Sequence, residues 1–346
     1  MTFHQSLLDW YDRFHRHLPW RANPGKMPNP YYVLLSEIML QQTTVATVID
    51  YFRYFIEKWP TIESFASATQ DEIYHAWQGL GYYSRARNLH KCTQIIVNEY
   101  QGRVPQELSQ LLALPGIGPY TAAAIASIAY DQPAVPVDGN IVRVFSRVLC
   151  LEKELPQLLD DVRLKVKDYV PDSRRGDFAQ ALMDLGATIC KPNKPLCHDC
   201  PIQSYCLVAN TEKATTLPRK KAKIPRPVRY GITYWYMDEQ NHVWLRRRPE
   251  KGLLGNLMEF PGTAWQDHPY EVAQTTSEQL PLANWVILPH EVIHTFTHFQ
   301  LRLTIVKAIG LDQPGDLSVD PKNLDDYALP TLMRKVAAHV EKHPYP

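Results

Sequence analysis

The sequence has 346 residues, 45% of them apolar, with 37 basic and 36 acidic side chains and a formal net charge of +1. This length predicts about two domains, each large enough to bury a core. No uncharged apolar run reaches roughly 18 residues, and the charged N-terminus lacks the apolar stretch of a secretory signal. We therefore expect a soluble, cytoplasmic protein without a membrane partner.

Up to about residue 210, apolar side chains recur three and four positions apart, which predicts helices and no strand. From residue 228 the apolar period changes to two, which indicates antiparallel strands with one solvated face. A final amphipathic helix is expected over 329–343. The predicted organisation is a mostly helical domain over 1–210, a basic linker over 211–229 and a smaller α+β domain over 230–346.

The stretch between the two domains is strongly basic. Glu212 is its one acidic residue, against the seven basic residues Lys213, Arg219, Lys220, Lys221, Lys223, Arg226 and Arg229. Such a distribution suits a DNA-facing segment even in a nearly neutral chain. It equally suits a solvated linker whose charges keep it extended, and the sequence leaves both alternatives open.

Four of the six cysteines lie within residues 190–206, directly after a helical pattern. They are Cys190, Cys197, Cys200 and Cys206, with the spacing C-x6-C-x2-C-x5-C. One loop can therefore wrap four thiolates around one centre, and a tetrathiolate set suits either zinc or an iron–sulfur cluster. Clustering this tight argues against unrelated buried cysteines, and the expected reducing compartment argues against disulfides.

Residues 114–120, Leu-Pro-Gly-Ile-Gly-Pro-Tyr, separate two helical patterns. Gly116 and Gly118 permit a tight turn with positive φ, and the amides at the start of the next helix point outward at its partially positive end. Such a turn can bind a DNA phosphate through backbone N–H groups without reading the base sequence. A turn of this composition is also common without any ligand, so the hairpin alone does not decide the function.

Two carboxylates stand in contrasting surroundings. Glu37 is embedded in the apolar run 33–40, so it must be paired, protonated or lining a pocket. Asp138 immediately precedes a helical stretch, where it can cap the helix and remain ionised. A buried acid and a polar carboxylate on opposite sides of a glycosidic bond would make a hydrolase site.

Together these features resemble the helix-hairpin-helix DNA glycosylase superfamily, and specifically its MutY-type adenine DNA glycosylases. The likeness is carried by LPGIGPYTAAAI, VDGN, SEIMLQQTTV, QGLGYYSRARNLH, the cysteine loop, GLLGNLMEFPG and FTHF. It covers nearly the whole chain. It implies removal of adenine mispaired with 8-oxoguanine or guanine in double-stranded DNA, by a monomer that would be nucleoid-associated in a bacterium.

The resemblance also assigns roles at the matching positions. Glu37 would protonate the leaving adenine at N7, while Asp138, aided by Asn140, would stabilise the oxocarbenium-like sugar. Tyr120 would contact the same centre and stands where bifunctional relatives carry a Schiff-base lysine, which predicts a monofunctional enzyme. The cysteine loop would bind a 4Fe–4S cluster and present Lys191 and Lys194 to the DNA backbone.

The resemblance implies further contacts with DNA and with the extruded adenine. The positions concerned are Arg16, Trp20, Arg21, Gln42, Tyr82, Gly116, Gly118 and Gln180. Gln42, on the helix after Glu37, and Tyr82, in the GLGYY turn, are candidates for a wedge inserted into the base stack.

The α+β domain resembles a Nudix domain over 245–262, but the residues that follow lack the glutamate pattern that gathers magnesium in Nudix hydrolases. We therefore expect this domain to bind rather than hydrolyse. Phe296, Thr297 and His298 match a Phe-Ser-His loop that recognises 8-oxoguanine in the family, with threonine keeping the hydroxyl group.

Two functions of other classes compete with this interpretation. Residues 290–294 read His-Glu-Val-Ile-His, the zinc-protease signature, which requires both histidines on one helical face. The alternating pattern after it favours a strand, on which His290 and His294 would lie some 13 Å apart, too far to share one zinc. The second alternative is a DNA-damage-binding module without chemistry, which would have no need of a buried acid at position 37.

Overall fold

The computed structural model of the protein describes residues 1–219, 225–310 and 314–343. The chain divides into two compact units, one comprising Met1–Ala68 and Asn88–Ala222, the other Thr69–Arg87 and Lys223–Pro346. The second unit thus contains residues 69–87, which the sequence analysis assigns to the helical domain. No helix among the described residues combines the length and the apolar character needed to span a membrane.

Helices dominate the chain up to residue 219, as predicted. Their bounds are α1 Phe3–Phe14, α2 Pro30–Leu40, α3 Val45–Lys58, α4 Ile62–Ala66, α5 Gln70–Ala76, α6 Ser84–Tyr100, α7 Leu108–Ala113, α8 Pro119–Ala124, α9 Gly139–Val148, α10 Gln157–Lys165, α11 Arg175–Thr188 and α12 Lys213–Thr216. A π-helical turn, Ile125–Ala129, continues α8, and short 3-10 turns cover Val166–Tyr169, Cys197–Asp199 and Gln203–Tyr205. Side-chain caps fix several starts, because Thr44 and Asp138 accept hydrogen bonds from the first-turn amides of α3 and α9.

The main core of the first unit lies between α1, α9 and α11. It is built from side chains that recur at helical spacing, among them Leu7, Tyr11, Ile141, Phe145, Phe178 and Leu182. Packing of α11 between two other helices explains why its run Gly176–Gly186 is buried on all sides. This core holds the starts of α9 and α11, and with them the side chains of the site, in fixed positions.

The second unit contains a mixed sheet flanked by helices on both faces. Its strands are β1 Val228–Met237, β2 Val243–Arg247, β3 Met258–Glu259, β4 Ala283–Ile287, β5 Val292–Thr295, β6 Gln300–Gly310 and β7 Leu317–Val319. The strand order is β3-β2-β1-β6-β4, with β5 paired to β6 and β7 to β2. Helix α13, Val272–Gln279, covers one face, and α14, Thr331–Lys342, packs on the other, with a 3-10 turn at Pro321–Asp326.

The prediction of antiparallel strands is wrong for the centre of the sheet. β1 and β6 run parallel from Val228 opposite Gln300 to Met237 opposite Ile309. The cause is the two-sided helical cover, which buries β1 continuously over 231–236 instead of leaving one face in solvent. The C-terminal helix α14 is confirmed.

Candidate active site

The first unit contains a cavity of about 540 Å³, formed by the segment before α2, by α2 and α8, by the start of α9 and by α11. Nine residues selected from the sequence line it: Arg16, Trp20, Arg21, Glu37, Gln42, Tyr120, Asp138, Asn140 and Gln180. The cavity therefore brings together both carboxylates from distant parts of the chain. Its volume is typical of a site that takes one small organic group.

Glu37 lies on α2 and is only 6% exposed. Its Oε2 atom makes no hydrogen bond with any residue that the structure describes. Burial raises the pKa of Glu37 to about 7, against the opposing hydrogen bond from Tyr120 and with a further upward contribution from the charge of Asp138. The side chain thus titrates near neutral pH, so a substantial fraction of it is protonated there, and its buried Oε2 atom has no hydrogen-bond partner among the described residues.

Asp138 caps α9 and accepts two well-formed hydrogen bonds. The Ile141 amide donates to its Oδ1 at 2.8 Å, and Asn140 Nδ2 donates to its Oδ2 at 2.7 Å. Burial raises the pKa of Asp138, but these donors oppose the shift by favouring the ionised form. Burial and the two neighbouring carboxyl groups raise the pKa of Tyr120 far above its usual value, so the phenol stays protonated and donates to Glu37.

Arg143, which the sequence analysis did not select, connects this centre to the cysteine loop. Its Nη2 donates to Asn140 Oδ1 at 2.8 Å and to the Gly186 carbonyl at 2.6 Å, and its Nε donates to the Cys190 carbonyl at 2.8 Å. Asn140 is therefore oriented from two sides, by Asp138 and by Arg143. The sequence feature that could have identified Arg143 is its spacing of three residues from Asn140, which places both on one face of a helix.

Asp184 on α11 is the second residue that sequence analysis missed. It is 0% exposed and forms ion pairs with Arg16 at 2.6 Å and Arg21 at 2.7 Å. Burial alone would raise the pKa of Asp184, but the Arg21 and Arg16 guanidinium groups hold it below its usual range. The available signal was an acid inside the largely apolar run 178–190, which is the same kind of signal that identified Glu37.

Trp20 and Gln42 complete the wall of the cavity. The Trp20 ring packs edge-to-face on Phe52, with ring centroids 5.4 Å apart, and is 6% exposed. Gln42 does not lie on a helix as predicted, because α2 ends at Leu40 and Gln42 adopts a φ of 62° in the turn before α3. It stays in the cavity wall, on a turn that directs it differently from a helical side chain.

The predicted hairpin joins α7 to α8, but its two glycines differ. Gly116 has a φ of 79°, and a β-carbon there would come within 2.8 Å of Asn88 Cβ. Gly118 has an extended φ of −94° and caps α8, so only Gly116 adopts the positive φ that the two glycines permit. A β-carbon on Gly118 would have no neighbour within 4 Å. Neither glycine lines the cavity, and Tyr120 connects the hairpin to it.

The four clustered cysteines surround one small apolar space of about 30 Å³. Arg147 is 2% exposed and donates at 3.2 Å to Cys190 Sγ and at 2.8 Å to the carbonyls of Lys191 and Pro192. Within the described ranges, no set of three or more metal-ligand side chains is arranged to hold an ion as it stands. The donor chemistry nevertheless fits a tetrathiolate centre, because four cysteines line one space beside the buried cation Arg147, whose charge would offset that of a thiolate.

A second cavity, of about 320 Å³, lies in the second unit. Its walls include Tyr82, Phe296, Thr297 and His298. The Tyr82 hydroxyl is hydrogen-bonded to Thr297 Oγ1, and Tyr82 adopts a φ of 48° in the turn before α6. The structure therefore places the Tyr82 wedge candidate and the Phe-Thr-His loop in one cavity, separate from the cavity that contains Glu37.

The His-Glu-Val-Ile-His segment does not form a protease site. His290 lies in a turn, and β5 contains His294, so the two histidines share no helix. Glu291 is ion-paired with Arg302 at 2.6 Å, which removes it as a free general base. The signature is a coincidence of sequence, as expected from the strand pattern.

The basic segment 211–229 is partly structured. Lys213 and Arg219 both pair with Glu152 in the first unit, and α12 packs on that unit through Ala214. The segment is therefore not a free linker along its whole length. Lys220, Lys221 and Lys223 lie outside the described residues.

Comparisons with known proteins agree with this arrangement. Residues 35–167 match the family model of HhH-GPD superfamily base excision DNA repair proteins, and residues 233–339 match the NUDIX domain model. The adenine DNA glycosylase of Mus musculus is 36% identical over 99% of this chain and 78% of its own length. That of Buchnera aphidicola subsp. Baizongia pistaciae is 31% identical over 99% of this chain and 97% of its own.

Two further relatives cover parts of the chain. The adenine DNA glycosylase of Mycolicibacterium smegmatis is 42% identical over 58% of this chain and 67% of its own. The solved structure of a thermostable thymine-DNA glycosylase superposes with a TM-score of 0.52 and 30% identity, over 59% of this chain and 94% of its own. Because both domain types and the full-length relatives agree, this chain belongs to the MutY-type adenine DNA glycosylase family of helix-hairpin-helix base excision repair enzymes.

Proposed function

We propose that this enzyme removes adenine opposite 8-oxoguanine, and more slowly opposite guanine, by hydrolysing the N-glycosidic bond without cleaving the DNA strand. The observation that carries the proposal is Glu37: a buried acid with a pKa of about 7 and an unbonded oxygen, lining the same cavity as Asp138. A pair of carboxyl groups with unlike environments is the arrangement that glycosidic hydrolysis requires.

The chemistry follows from the two environments. The adenine leaves the base stack and enters the cavity, where Glu37 donates its proton to N7. The C1′–N9 bond then breaks with its electron pair going to the protonated, cationic base, which leaves as neutral adenine while the positive charge passes to the sugar. The Asp138 carboxylate stabilises that charge until water adds to C1′ and releases a proton. General acid catalysis of this kind contributes roughly a hundredfold to ten-thousandfold.

The absence of strand cleavage follows from Tyr120. A lyase reaction by way of a Schiff base needs an amine at the sugar, and a phenol cannot form one. Burial and the neighbouring carboxyl groups raise the Tyr120 pKa, so its hydroxyl serves as a hydrogen-bond donor to Glu37. The product is then an intact strand with an abasic site.

The choice of the opposite base belongs to the cavity of the second unit. Tyr82 and Thr297 together offer a bonded pair of hydroxyl groups, and His298 lies beside them in the cavity wall. Such donors and acceptors distinguish 8-oxoguanine from guanine, because the oxidised base carries an additional carbonyl and an N7 proton. The protein acts as a monomer on one lesion.

We also propose that Cys190, Cys197, Cys200 and Cys206 hold a 4Fe–4S cluster. The cluster supplies a rigid, charged structural centre when bound, and Arg147 stabilises the loop from the protein side. Iron and acid-labile sulfide should each measure about four per chain. Replacement of Arg147 by leucine should lower both values and the thermal midpoint together, because it leaves the two loop carbonyls without their donor.

The deciding experiment is single-turnover cleavage of duplexes with adenine opposite 8-oxoguanine, guanine or thymine, with and without hot alkali. We expect breaks only after alkali, fastest opposite 8-oxoguanine. Glu37→Gln and Asp138→Asn should each slow excision by about a hundredfold or more while still binding the duplex. Wild-type rates in both variants would refute the mechanism, and binding without excision by the wild type would favour a damage-binding module.

A further inference from the structure

An ion cluster beside the cavity converges on one carboxylate that the proposed chemistry does not use. Asp184 accepts from the Arg16 backbone amide at 2.9 Å and from Arg16 Nε at 2.6 Å. It also accepts from both terminal nitrogens of Arg21, at 2.7 and 2.9 Å, so the second pair is bidentate. A single side chain on α11 therefore fastens both ends of the segment 16–21.

That segment is one wall of the active-site cavity. Leu18 and Trp20 lie between the two arginines and line the cavity. On α11, Gln180 also lines it and precedes Asp184 by one helical turn, so the two share a face. The Asp184 carboxylate thus fixes the distance between two parts of the cavity wall, the segment 16–21 and α11. The extruded base must fit between them.

The cluster also sets the charge near Glu37. The Arg21 guanidinium attracts a negative charge on Glu37 and thereby favours its ionised form. Asp184 pairs with that guanidinium and offsets part of its charge. The groups around Glu37 and Arg21 are Tyr120 on α8, Asp138 at the start of α9, Tyr11 on α1 and Asp184 on α11.

We propose that Asp184 is a positioning residue for adenine excision: it clamps Arg21 and the segment 16–21 against the cavity, and it pairs with the Arg21 guanidinium group beside Glu37. This inference rests on the proposed role of Glu37 as the proton donor. Without Asp184, two guanidinium groups would remain beside the cavity with no carboxylate between them. Glu37 would then lose its proton at lower pH and would be a poorer acid near neutrality.

The test is the pH dependence of single-turnover excision from the 8-oxoguanine duplex, from about pH 5 to about pH 9, with the full-length protein. The rate should fall at high pH as Glu37 ionises. In Asp184→Asn, which keeps the side-chain shape, this fall should begin about one pH unit lower. In Arg16→Gln it should begin at higher pH, because a positive charge is removed instead.

Arg16→Gln also guards against a folding failure, since the Arg16 side chain is 27% exposed and its removal leaves Asp184 paired with Arg21. Affinity for a duplex with an uncleavable adenosine analogue separates binding from chemistry and should change less than the rate. Asp184→Glu, which restores the charge, should return the fall in rate towards its wild-type pH.

The opposite signs of the two shifts make the inference refutable. If both variants lose rate equally at all pH values, with the fall unmoved, Asp184 is merely structural and the inference fails. If Asp184→Asn does not fold, a pH dependence of excision in Arg16→Gln that matches the wild type would also refute the inference. A wild-type protein that excises nothing at any pH would instead overturn the proposed function.

Discussion

At the scale of single residues, the proposed proton donor Glu37 also has a cost in stability. Its pKa in an unfolded chain is near 4.5 and in the fold about 7, so the folded state holds the proton more tightly. The protonated form of Glu37 therefore contributes to folding stability. This contribution is fully present below the pKa of the unfolded state and is lost as the pH rises through the pKa of the folded state. At pH 8 the fold therefore carries a buried charge that burial disfavours.

This predicts the behaviour of Glu37→Gln in unfolding experiments. At pH 8 the variant should be more stable than the wild type, with a free energy of unfolding that is higher by up to roughly 3 kcal/mol, because glutamine cannot ionise. At pH 4 the difference should largely disappear. Urea unfolding at both pH values measures it, and a variant that is less stable at pH 8 would contradict the burial of a charged Glu37.

Sequence reasoning at this scale selected residues whose chemistry conflicts with their surroundings. Glu37 was identified because an acid in an apolar helix requires an explanation, and Asp138 because it precedes a helix. Arg143 and Asp184 were missed although local signals existed, because their partners lie far away in the chain. Asp184 pairs with Arg16 and Arg21, and Arg143 donates to the carbonyls of Gly186 and Cys190.

At the scale of elements, the hairpin between α7 and α8 provides a matched pair of glycines. Gly116→Ala must place a β-carbon at a positive φ and against Asn88, so it should cost about 1–2 kcal/mol of stability. Gly118→Ala meets neither problem and should leave the thermal midpoint within about a degree.

The two glycine substitutions should also differ in their effect on DNA binding, and this difference should not follow their effect on stability. Because Gly118 is open to approach at the start of α8, a methyl group there should keep a phosphate at a greater distance and weaken duplex affinity. Fluorescence anisotropy with an undamaged duplex measures this effect. Unchanged affinity in Gly118→Ala would show that DNA does not approach the hairpin at this point.

Element types were largely predictable, whereas their pairing was not. The alternation in β1 and β6 correctly indicated strands, but parallel and antiparallel partners produce the same alternation in each strand. The helical cover that decides between them comes from α13 and α14, which lie far from β1 in sequence. The turn that removes Gln42 from the preceding helix lies in the four polar residues 41–44, Gln-Gln-Thr-Thr, between two segments with helical apolar spacing.

At the scale of the whole molecule, the proposed function assigns the chemistry to one cavity and the choice of opposite base to the other. Glu37 and Asp138 line the cavity of the first unit, while Tyr82 and Thr297 line that of the second. We therefore expect Thr297→Val, which removes the hydroxyl partner of Tyr82, to lower the excision rate opposite 8-oxoguanine more than the rate opposite guanine.

The measurement is the ratio of the two single-turnover rates. The control is Thr295→Val at the end of β5, because Thr295 lines the same cavity but its side chain is not the hydrogen-bond partner of Tyr82. We expect the ratio to fall several-fold in Thr297→Val alone. Equal losses with both duplexes would show that the hydroxyl pair supports the fold of the turn instead of reading the base.

The parallel pairing of β1 with β6 also has a consequence for synthesis on the ribosome. β1 ends at Met237, yet its neighbour in the sheet begins only at Gln300 and extends to Gly310. While the intervening chain is being translated, β1 has one unpaired edge, and its six consecutive residues 231–236, which are buried in the fold, are still exposed. The second unit is therefore most vulnerable to aggregation during this interval. A chaperone that binds extended apolar segments would protect the exposed strand.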